Sequence, residues 1–517
     1  MPKNLLRNLI HRRVPQILGV YLAAGWALLE FTNWAAEDFG LNASLPDLVL
    51  AVVLLLLPVT LVAAWKYGEP RRDRESRSHR SRASRPPPGL RSIAVLPFTN
   101  MSASAEMDYL SDGLTEEIIN ALARMESLRV ASRTSSFAYK GKSADVRRIG
   151  EDLNVGSVLE GSVQKSEERL RVTTQLVSVA DGYHLWSERF DRDMQDVFAI
   201  EDEIAENVAR ALKVVLGEEE KKALARVPTS DVRAYDLYLK GRQYFHQTRR
   251  KSLEYAREMF RSAIRIDPDY ALAWAGVAEA GGLEGMYYPG GAESPQVIEE
   301  ADRASQRALE LDPDLAEAHA ARGLVLTVMK QFEGAEKEFR TAIEIDPRQF
   351  EARYFYARAC FQQGRLEEAT RLFLEASEVR EDYQASFFAA QALEAQGRNV
   401  EARLQYRRAL QIVARYIELN PDDGRAATMK GVAHCRLGNQ EMGLQWAKKA
   451  LAIDPEDASV RYNVACLYSL EGRPDEAIAC LEEALKAGFG HRDWIENDPD
   501  LDALRDHPKF QALVAAM

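Results

Sequence analysis

Hydrophobic positions recur along this chain with three different spacings. From Val14 to Leu29, and again over the eighteen residues from Leu48 to Trp65, apolar residues run on without a charge. Between Ser92 and Phe190 the runs are short: Ile93-Ala94-Val95-Leu96-Pro97-Phe98, Leu128 to Ser132, Ser157 to Gln164, and Leu170 to Val179 with Leu170, Val172, Thr174 and Leu176 alternating. Such runs predict strands, and the turn residues at Ser166-Glu167-Glu168 and Asp181-Gly182 predict an antiparallel hairpin portion that ends with Tyr183 to Phe190. Helical spacings lie between and after them: Leu114, Ile118, Leu122 and Met125; Val146, Ile149 and Leu153; and Val197, Ile200, Ile204, Val208, Leu212 and Val215. A mixed α/β domain over 92–215 is expected. Asp112, Glu116 and Glu117 read as favourable to the positive end of its first helix.

Beyond residue 235 the helical period takes over, punctuated by Asp267-Pro268, Asp312-Pro313, Asp346-Pro347, Asn420-Pro421 and Asp454-Pro455. Two intervals, Pro313 to Pro347 and Pro421 to Pro455, are 34 residues long, the length of a helix-turn-helix unit that must stack on neighbours to complete a core. Aligned on proline, Gly323, Ala335, Phe339 and Ala342 recur as Ala357, Ala369, Phe373 and Ala376, with further copies at Ala256-Phe260-Ala263, Ala402-Tyr406-Ala409, Gly431 with Ala447 and Ala450, and Ala465 with Ala477, Leu481 and Ala484. This pattern resembles the tetratricopeptide (TPR) repeat, and implies about seven helix pairs over 235–487 with a cap over 488–517. Two units are longer: one has extra residues around Gly281-Gly282 and Pro289-Gly290-Gly291, read as a loop, and the other runs on through Ile412 to Leu419. Such departures either shape a ligand site or are tolerated surface. In a repeat superhelix the first helix of each pair lines the inner face. That makes Glu351, Tyr354, Arg358, Phe361, Arg425, Thr428, Tyr462 and Ser469 the candidates for meeting a protein or peptide partner, the alternative being a solvated helix face.

Charge sharpens the reading of the N-terminus. Lys3, Arg7, Arg12 and Arg13 precede the first apolar run, and Lys66, Arg71, Arg72, Arg74, Arg77, Arg80, Arg82 and Arg85 follow the second, whereas Glu37 to Asp47 holds no Lys or Arg. Basic flanks are retained on the cytoplasmic side. The expectation is a membrane hairpin over 1–67, with spans about 14–35 and 48–66, in the cell inner membrane with both termini and the soluble domains cytoplasmic. A periplasmic placement of those domains is the alternative. The Arg/Ser/Pro-rich stretch 68–91 would be a tether lying on anionic lipid. The expected fold class is therefore multidomain: a two-helix transmembrane hairpin, an α/β domain and an all-α TPR solenoid.

Composition narrows function further. Through Arg85 there are 12 Lys/Arg against 7 Asp/Glu, and after it 55 against 72. That acidic remainder argues against nucleic-acid binding, which rests on a basic face. Cys360, Cys435, Cys466 and Cys480 sit singly among apolar neighbours and read as small core residues. Gly141-Lys142-Ser143 lacks the first glycine of a phosphate loop, Ser136 standing in its place, and no zinc-protease, nucleophile-elbow or dinucleotide motif occurs. No catalytic, cofactor-binding or metal-binding residue is assigned, and no cofactor is expected.

Four segments carry a family resemblance: Ser92-Ile93-Ala94-Val95-Leu96-Pro97-Phe98, Tyr109-Leu110-Ser111-Asp112-Gly113-Leu114-Thr115-Glu116-Glu117, Leu159-Glu160-Gly161-Ser162-Val163 and Asp181-Gly182-Tyr183-His184-Leu185-Trp186-Ser187-Glu188-Arg189-Phe190-Asp191. Over 92–215 the chain resembles the TolB amino-terminal-like domain found before TPR arrays in bacterial membrane and regulatory proteins, including the C-terminal parts of some class III adenylate cyclase-like proteins. The resemblance implies a noncatalytic accessory or sensory protein without an enzymatic head, acting as a scaffold for a protein partner. The alternatives are a regulatory component of a nucleotide-cyclase-type signalling system, with ligand sensing in 92–215, and an envelope scaffold facing the periplasm.

Overall fold

The computed structural model describes residues 91–517, apart from 103, 105–106, 126, 167–168, 215–228, 230, 289–293 and 490–491, and before them residues 32, 50–53 and 55. The chain divides into two compact units, Met1–Gly89 and Leu90–Met517.

In the first unit, residues 50–53 are helical, with Leu50 and Val52 exposed, as is Leu55. Among the described residues no helix is long and apolar enough to cross a membrane. This overturns the transmembrane hairpin, whose expected spans fall almost entirely outside the described residues. The inner-membrane placement in either orientation, and the lipid contact of the tether, fall with it. An apolar run states a composition; a span also needs an unbroken helix of about 20 residues, which composition does not supply. The corrected fold class is a helical TPR solenoid with a small sheet region.

That sheet comprises β1 (Arg91–Val95), β2 (Thr99–Asn100), β3 (Leu128–Val130), β4 (Ser157–Ser166), β5 (Arg169–Ser178) and β6 (His184–Asp193). The order is β3-β1-β4-β5-β6, with β2 also pairing with β4. The β3, β1 and β4 strands run parallel, while β4, β5 and β6 are antiparallel. Central β1 is apolar on both faces, and Ile93, Ala94 and Val95 are all fully buried, as a parallel strand covered on both sides requires. On β5 the alternation is resolved instead: Leu170, Val172, Thr174 and Leu176 are buried and the residues between them are not. Pro97 stops β1, and the next backbone N–H, of Phe98, donates to Thr115 Oγ1 at 3.0 Å.

Four helices accompany the sheet: α1 (Asp108–Ala123), α2 (Arg133–Phe137), α3 (Val146–Leu153) and α4 (Val197–Ala211). Leu114, Ile118, Leu122 and Met125 are fully buried, as their spacing predicts. The helix begins at Asp108, however, so Glu116 and Glu117 lie in its third turn and not at its positive end.

Seven successive helix pairs follow among the described residues: α5/α6 (Val232–Phe245, Arg250–Ile266), α7/α8 (Ala271–Tyr287, Ser294–Leu311), α9/α10 (Ala316–Val328, Phe332–Ile345), α11/α12 (Phe350–Gln362, Leu366–Val379), α13/α14 (Tyr383–Ala395, Asn399–Leu419), α15/α16 (Gly424–Arg436, Gln440–Ile453) and α17/α18 (Ala458–Leu470, Pro474–Lys486). The recurring small residues allow the helices to approach. A Cβ on Gly323 would stand 2.5 Å from the Phe339 ring, and one on Gly276 would stand 2.9 Å from that of Phe260. The Asp-Pro punctuation also has a local cause. Asp267, Asp312 and Asp346 end their helices, and their carboxylates accept from the backbone N–H two residues on, of Asp269, Asp314 and Arg348, at 3.1, 3.2 and 2.8 Å. Proline between them cannot continue the helix, so an Asx turn reverses the chain.

The expected loop around Gly281-Gly282 is absent: α7 continues through both glycines to Tyr287. Added Cβ atoms there would meet Ala301 at 2.9 Å and Leu324 at 2.8 Å, so the glycines serve close helix packing. Residues 289–291 of that expected loop lie outside the described residues. The extra residues before Pro421 lengthen α14. After α18, Arg492–Asn497, a 3₁₀ turn at Pro499–Leu504 and Pro508–Ala515 cover the last pair with buried Ile495, Leu501, Leu504 and Phe510.

Candidate partner-binding groove

The first helices of the pairs are not free along their whole length, because the sheet region packs on them. Helix α1 lies against α5, close enough that a Cβ on Gly113 would stand 2.7 Å from Leu239. Around this seam polar groups are matched. Tyr109 Oη donates to Asp236 at 2.5 Å. Glu116, buried, accepts from Arg133 Nε at 3.0 Å and Arg242 Nη2 at 2.8 Å, and pairs with His246 Nε2 at 2.7 Å. Burial would raise the Glu116 pKa, but His246, Arg242 and Arg133 together hold it well below the usual carboxylate range. Burial, reinforced by Arg133, holds His246 at about 4, so the ring is neutral at pH 7. Burial and the adjacent Glu116 push Glu117 up to about 7, and burial likewise lifts Glu279 to about 7 although Arg242 opposes it.

The seam extends to later pairs of the array. Arg124 approaches Glu317 at 3.7 Å, Ser135 Oγ donates to Glu381 at 3.0 Å, and Lys142 approaches Glu418 at 3.8 Å. Arg348 Nη1 donates to three backbone carbonyls, of Ala123, Met125 and Leu128, at 2.8, 3.2 and 2.9 Å. Those carbonyls lie where α1 ends and β3 begins, and that of Met125 also accepts from the Leu128 N–H at 3.1 Å. Part of the array's inner side is thus taken up by the chain's own preceding domain.

The array also touches itself across the superhelix. Arg249 pairs with Asp422, Arg425 Nη2 donates to Thr248 Oγ1 at 2.7 Å, and Ser459 Oγ donates to the Tyr287 carbonyl at 2.8 Å. The first two of these contacts come from the turn between α5 and α6, and the third from the extra turn of α7, which carries Tyr287 and Tyr288 over to the sixth and seventh pairs.

The eight sequence candidates fall into two groups. Glu351, Arg358, Phe361 and Arg425 are half-buried. Glu351 accepts from Arg380 at 2.6 Å. Arg358 lies 4.7 Å over the Phe388 ring and 5.5 Å over that of Tyr287, while Arg425 lies 4.6 Å over Tyr287 and 5.8 Å over Tyr288. The others face inward. Tyr354 is buried and donates to Gln384 Oε1 at 2.6 Å; Thr428 is buried and donates to the Gly424 carbonyl at 2.7 Å. Tyr462 is buried, stacks on Phe489 at 4.1 Å and donates to Asp498 at 2.6 Å; Ser469 is buried as well. Asp498 and Asp500 lie near Cys466, but Tyr462 and Arg436 already occupy these carboxylates, so the group seats the cap on the last pair.

Sequence reasoning missed Tyr287, Tyr288, Phe388 and the Glu116 cluster. Only the extra length before Pro313 marks Tyr287. Glu116 and Arg242 are 126 residues apart and no local pattern connects them.

Family models match this chain in four places: the HilA/YgeH-like transcriptional regulator, second domain, over residues 89–207, and tetratricopeptide repeats over 328–393, 405–458 and 446–479. The chain therefore carries TPR repeats. The match over the sheet region is to the HilA-type domain; a TolB-type domain is not among these matches. A Rhizobium meliloti protein called "Putative adenylate cyclase 3" is 39% identical over 260 residues, covering 49% of this chain and 44% of that protein. Transcriptional regulator HilA of Salmonella typhimurium is 20% identical over 293 residues, 56% of this chain and 51% of that protein. The chain thus spans about half the length, or less, of these two curated relatives. The solved structure of YrrB, described as a TPR protein with an unusual peptide-binding site, is 23% identical and covers 39% of this chain and 95% of that one, with a TM-score of 0.25.

Proposed function

We propose that this chain is a noncatalytic protein-interaction module whose TPR array holds a protein partner on the stretch of inner face carrying Glu351, Arg358, Phe361 and Arg425. The observation that supports this reading most is the pairing of stacked repeats with half-buried arginines and aromatic rings on their first helices, a composition suited to anchoring a partner. Tyr354, Thr428, Tyr462 and Ser469 act beneath that surface by fixing the helices. The sheet region serves as an accessory domain, resembling the TolB amino-terminal-like type, that sets how much of the inner face is accessible. Crosslinking and affinity capture with the full chain test the proposal, with Phe361→Glu as control. A protein enriched with the unmodified chain and lost with Phe361→Glu is the expected result. Equal recovery with both forms, or none with either, would remove it.

A second reading is supported by the 39% identity to the cyclase-named protein: the chain regulates a nucleotide-cyclase-type signalling system, with a small ligand sensed in the sheet region. Thermal shift of the full chain against adenine and guanine nucleotides tests it, and an unchanged midpoint at millimolar nucleotide would count against it.

A further inference from the structure

Several buried or half-buried arginines of the array are matched by carboxylates, while Arg348 and Arg408 give donors to backbone carbonyls. Arg242 meets Glu116, Arg257 meets Glu284 at 3.0 Å, Arg365 meets Glu336 at 2.8 Å, Arg380 meets Glu351 at 2.6 Å, and Arg322 meets Asp302. Arg358 and Arg425 instead lie over aromatic rings. Among the described residues neither has a carboxylate within ion-pair distance. The hydrogen bonds of Arg358 reduce to one of 3.4 Å to Tyr354 Oη, and those of Arg425 go to the Thr248 hydroxyl and carbonyl. Both guanidinium groups lie within 5.5 Å of the same ring centroid, that of Tyr287. A guanidinium has five N–H donors in a planar fork, so most of these donors have no acceptor in the protein. Taking such a charge out of water is costly unless an anion offsets it.

We infer that Arg358 and Arg425, on the aromatic floor of Tyr287, Tyr288 and Phe388, form an anion-recognition site that takes a side-chain carboxylate from an acidic segment of a protein partner. The inference rests on the proposed partner-binding role and specifies the chemistry of the partner. The planar fork matches a carboxylate in two-point geometry, and the rings cover the flanking methylene groups. The surroundings select a monoanion over a phosphate dianion. Asp423 and Asp457, whose carboxylates accept from the Ala426 and Val460 N–H groups at the starts of α15 and α17, already offset part of the Arg425 charge, which leaves room for one further negative charge and not two.

The test is fluorescence anisotropy of labelled decaglutamate against the full chain, with labelled decaglutamine as control and inorganic phosphate as competitor. Decaglutamate should bind saturably and decaglutamine should not, and the Arg358→Gln/Arg425→Gln double variant should bind at least about tenfold more weakly. Millimolar phosphate should leave binding unchanged. Arg358→Gln alone, which leaves the Arg425–Thr248 bonds in place, should unfold at the temperature of the unmodified chain; a purely structural stacking role would lower it. If the double variant fails to fold, Arg358→Lys decides, since it keeps the charge and loses the fork: several-fold weaker binding supports the site and unchanged binding overturns it. Binding by the double variant within about twofold of the unmodified chain, indifference between the two peptides, or displacement by phosphate would each overturn the inference. Partner capture that survives in the double variant would refute this site while leaving the groove reading intact, whereas no capture by either form removes the groove reading itself.

Discussion

The seam between α1 and α5 and the inner face around Arg358 both carry buried or half-buried charge, but the seam pairs its charges more completely. Glu116 faces Arg133, Arg242 and His246 within 3.0 Å, and Arg348 spends its donors on three carbonyls. Arg358 and Arg425 face rings. A buried charge whose partners lie within the chain holds structure together; one whose partners are missing is held ready for something outside. The contrast separates an internal interface from a receptor surface more sharply than exposure does, since both regions are half-buried.

The largest break in that contrast comes from the seam. Glu116→Ala leaves half-buried Arg133 without its carboxylate partner and Arg242 with only Glu279 at 3.4 Å, and should cost about 3–5 kcal/mol in urea unfolding. A loss below 1 kcal/mol would mean that the cluster is solvated and the seam loose. Arg348→Ala removes three charge-assisted bonds at the end of α1 and should cost about 1.5–3 kcal/mol, with faster amide exchange over residues 124–130; exchange unchanged there would show that those carbonyls are held by other means.

Proton linkage sharpens the seam further. His246, lowered from 6.5 to about 4, contributes stability that is present above pH 6.5 and lost as pH falls through about 4. Glu117 and Glu279, raised from 4.5 to about 7, contribute stability that is present below 4.5 and lost as pH rises through about 7. In the Glu117→Gln/Glu279→Gln double variant both positions stay neutral, so its melting temperature should decline less from pH 6 to 8 (about one unit either side of the shifted values) than that of the unmodified chain. Parallel profiles would dismiss the assignment. The smallest effect belongs to the inner face: Arg358→Gln should move stability by no more than about 0.5 kcal/mol, and a loss comparable to that of Glu116→Ala would make Arg358 part of the seam's architecture.

Much of the fold was legible in sequence wherever a residue's role depends on near neighbours. Leu114, Ile118 and Leu122 signal α1, and the small-aromatic pattern around Gly323 and Phe339 signals helices in close approach. Glycines misled where their cause was remote: Gly281 and Gly282 look like a turn, yet they admit Ala301 and Leu324 into a continuous helix. The apolar runs at the N-terminus misled for a similar reason, since hydropathy alone does not state helix length. Candidate groove residues were chosen by position along the first helix. Position does not distinguish Arg358, which remains half-buried, from Thr428, which turns its hydroxyl back to Gly424. The unmatched state of Arg358 is invisible in a string, because it consists of partners that are not there.

The extra turn of α7 has a mechanical consequence. A solenoid whose units meet only their neighbours is compliant, bending and stretching like a coil, and can fray from either end. Tyr287 and Tyr288 act as a strut between the second pair and the sixth and seventh, so the coil cannot lengthen without tearing that bridge. Stiffness at this point keeps the two arginines at a fixed gauge, and melting should spread through the bridged pairs as one block rather than peel away unit by unit.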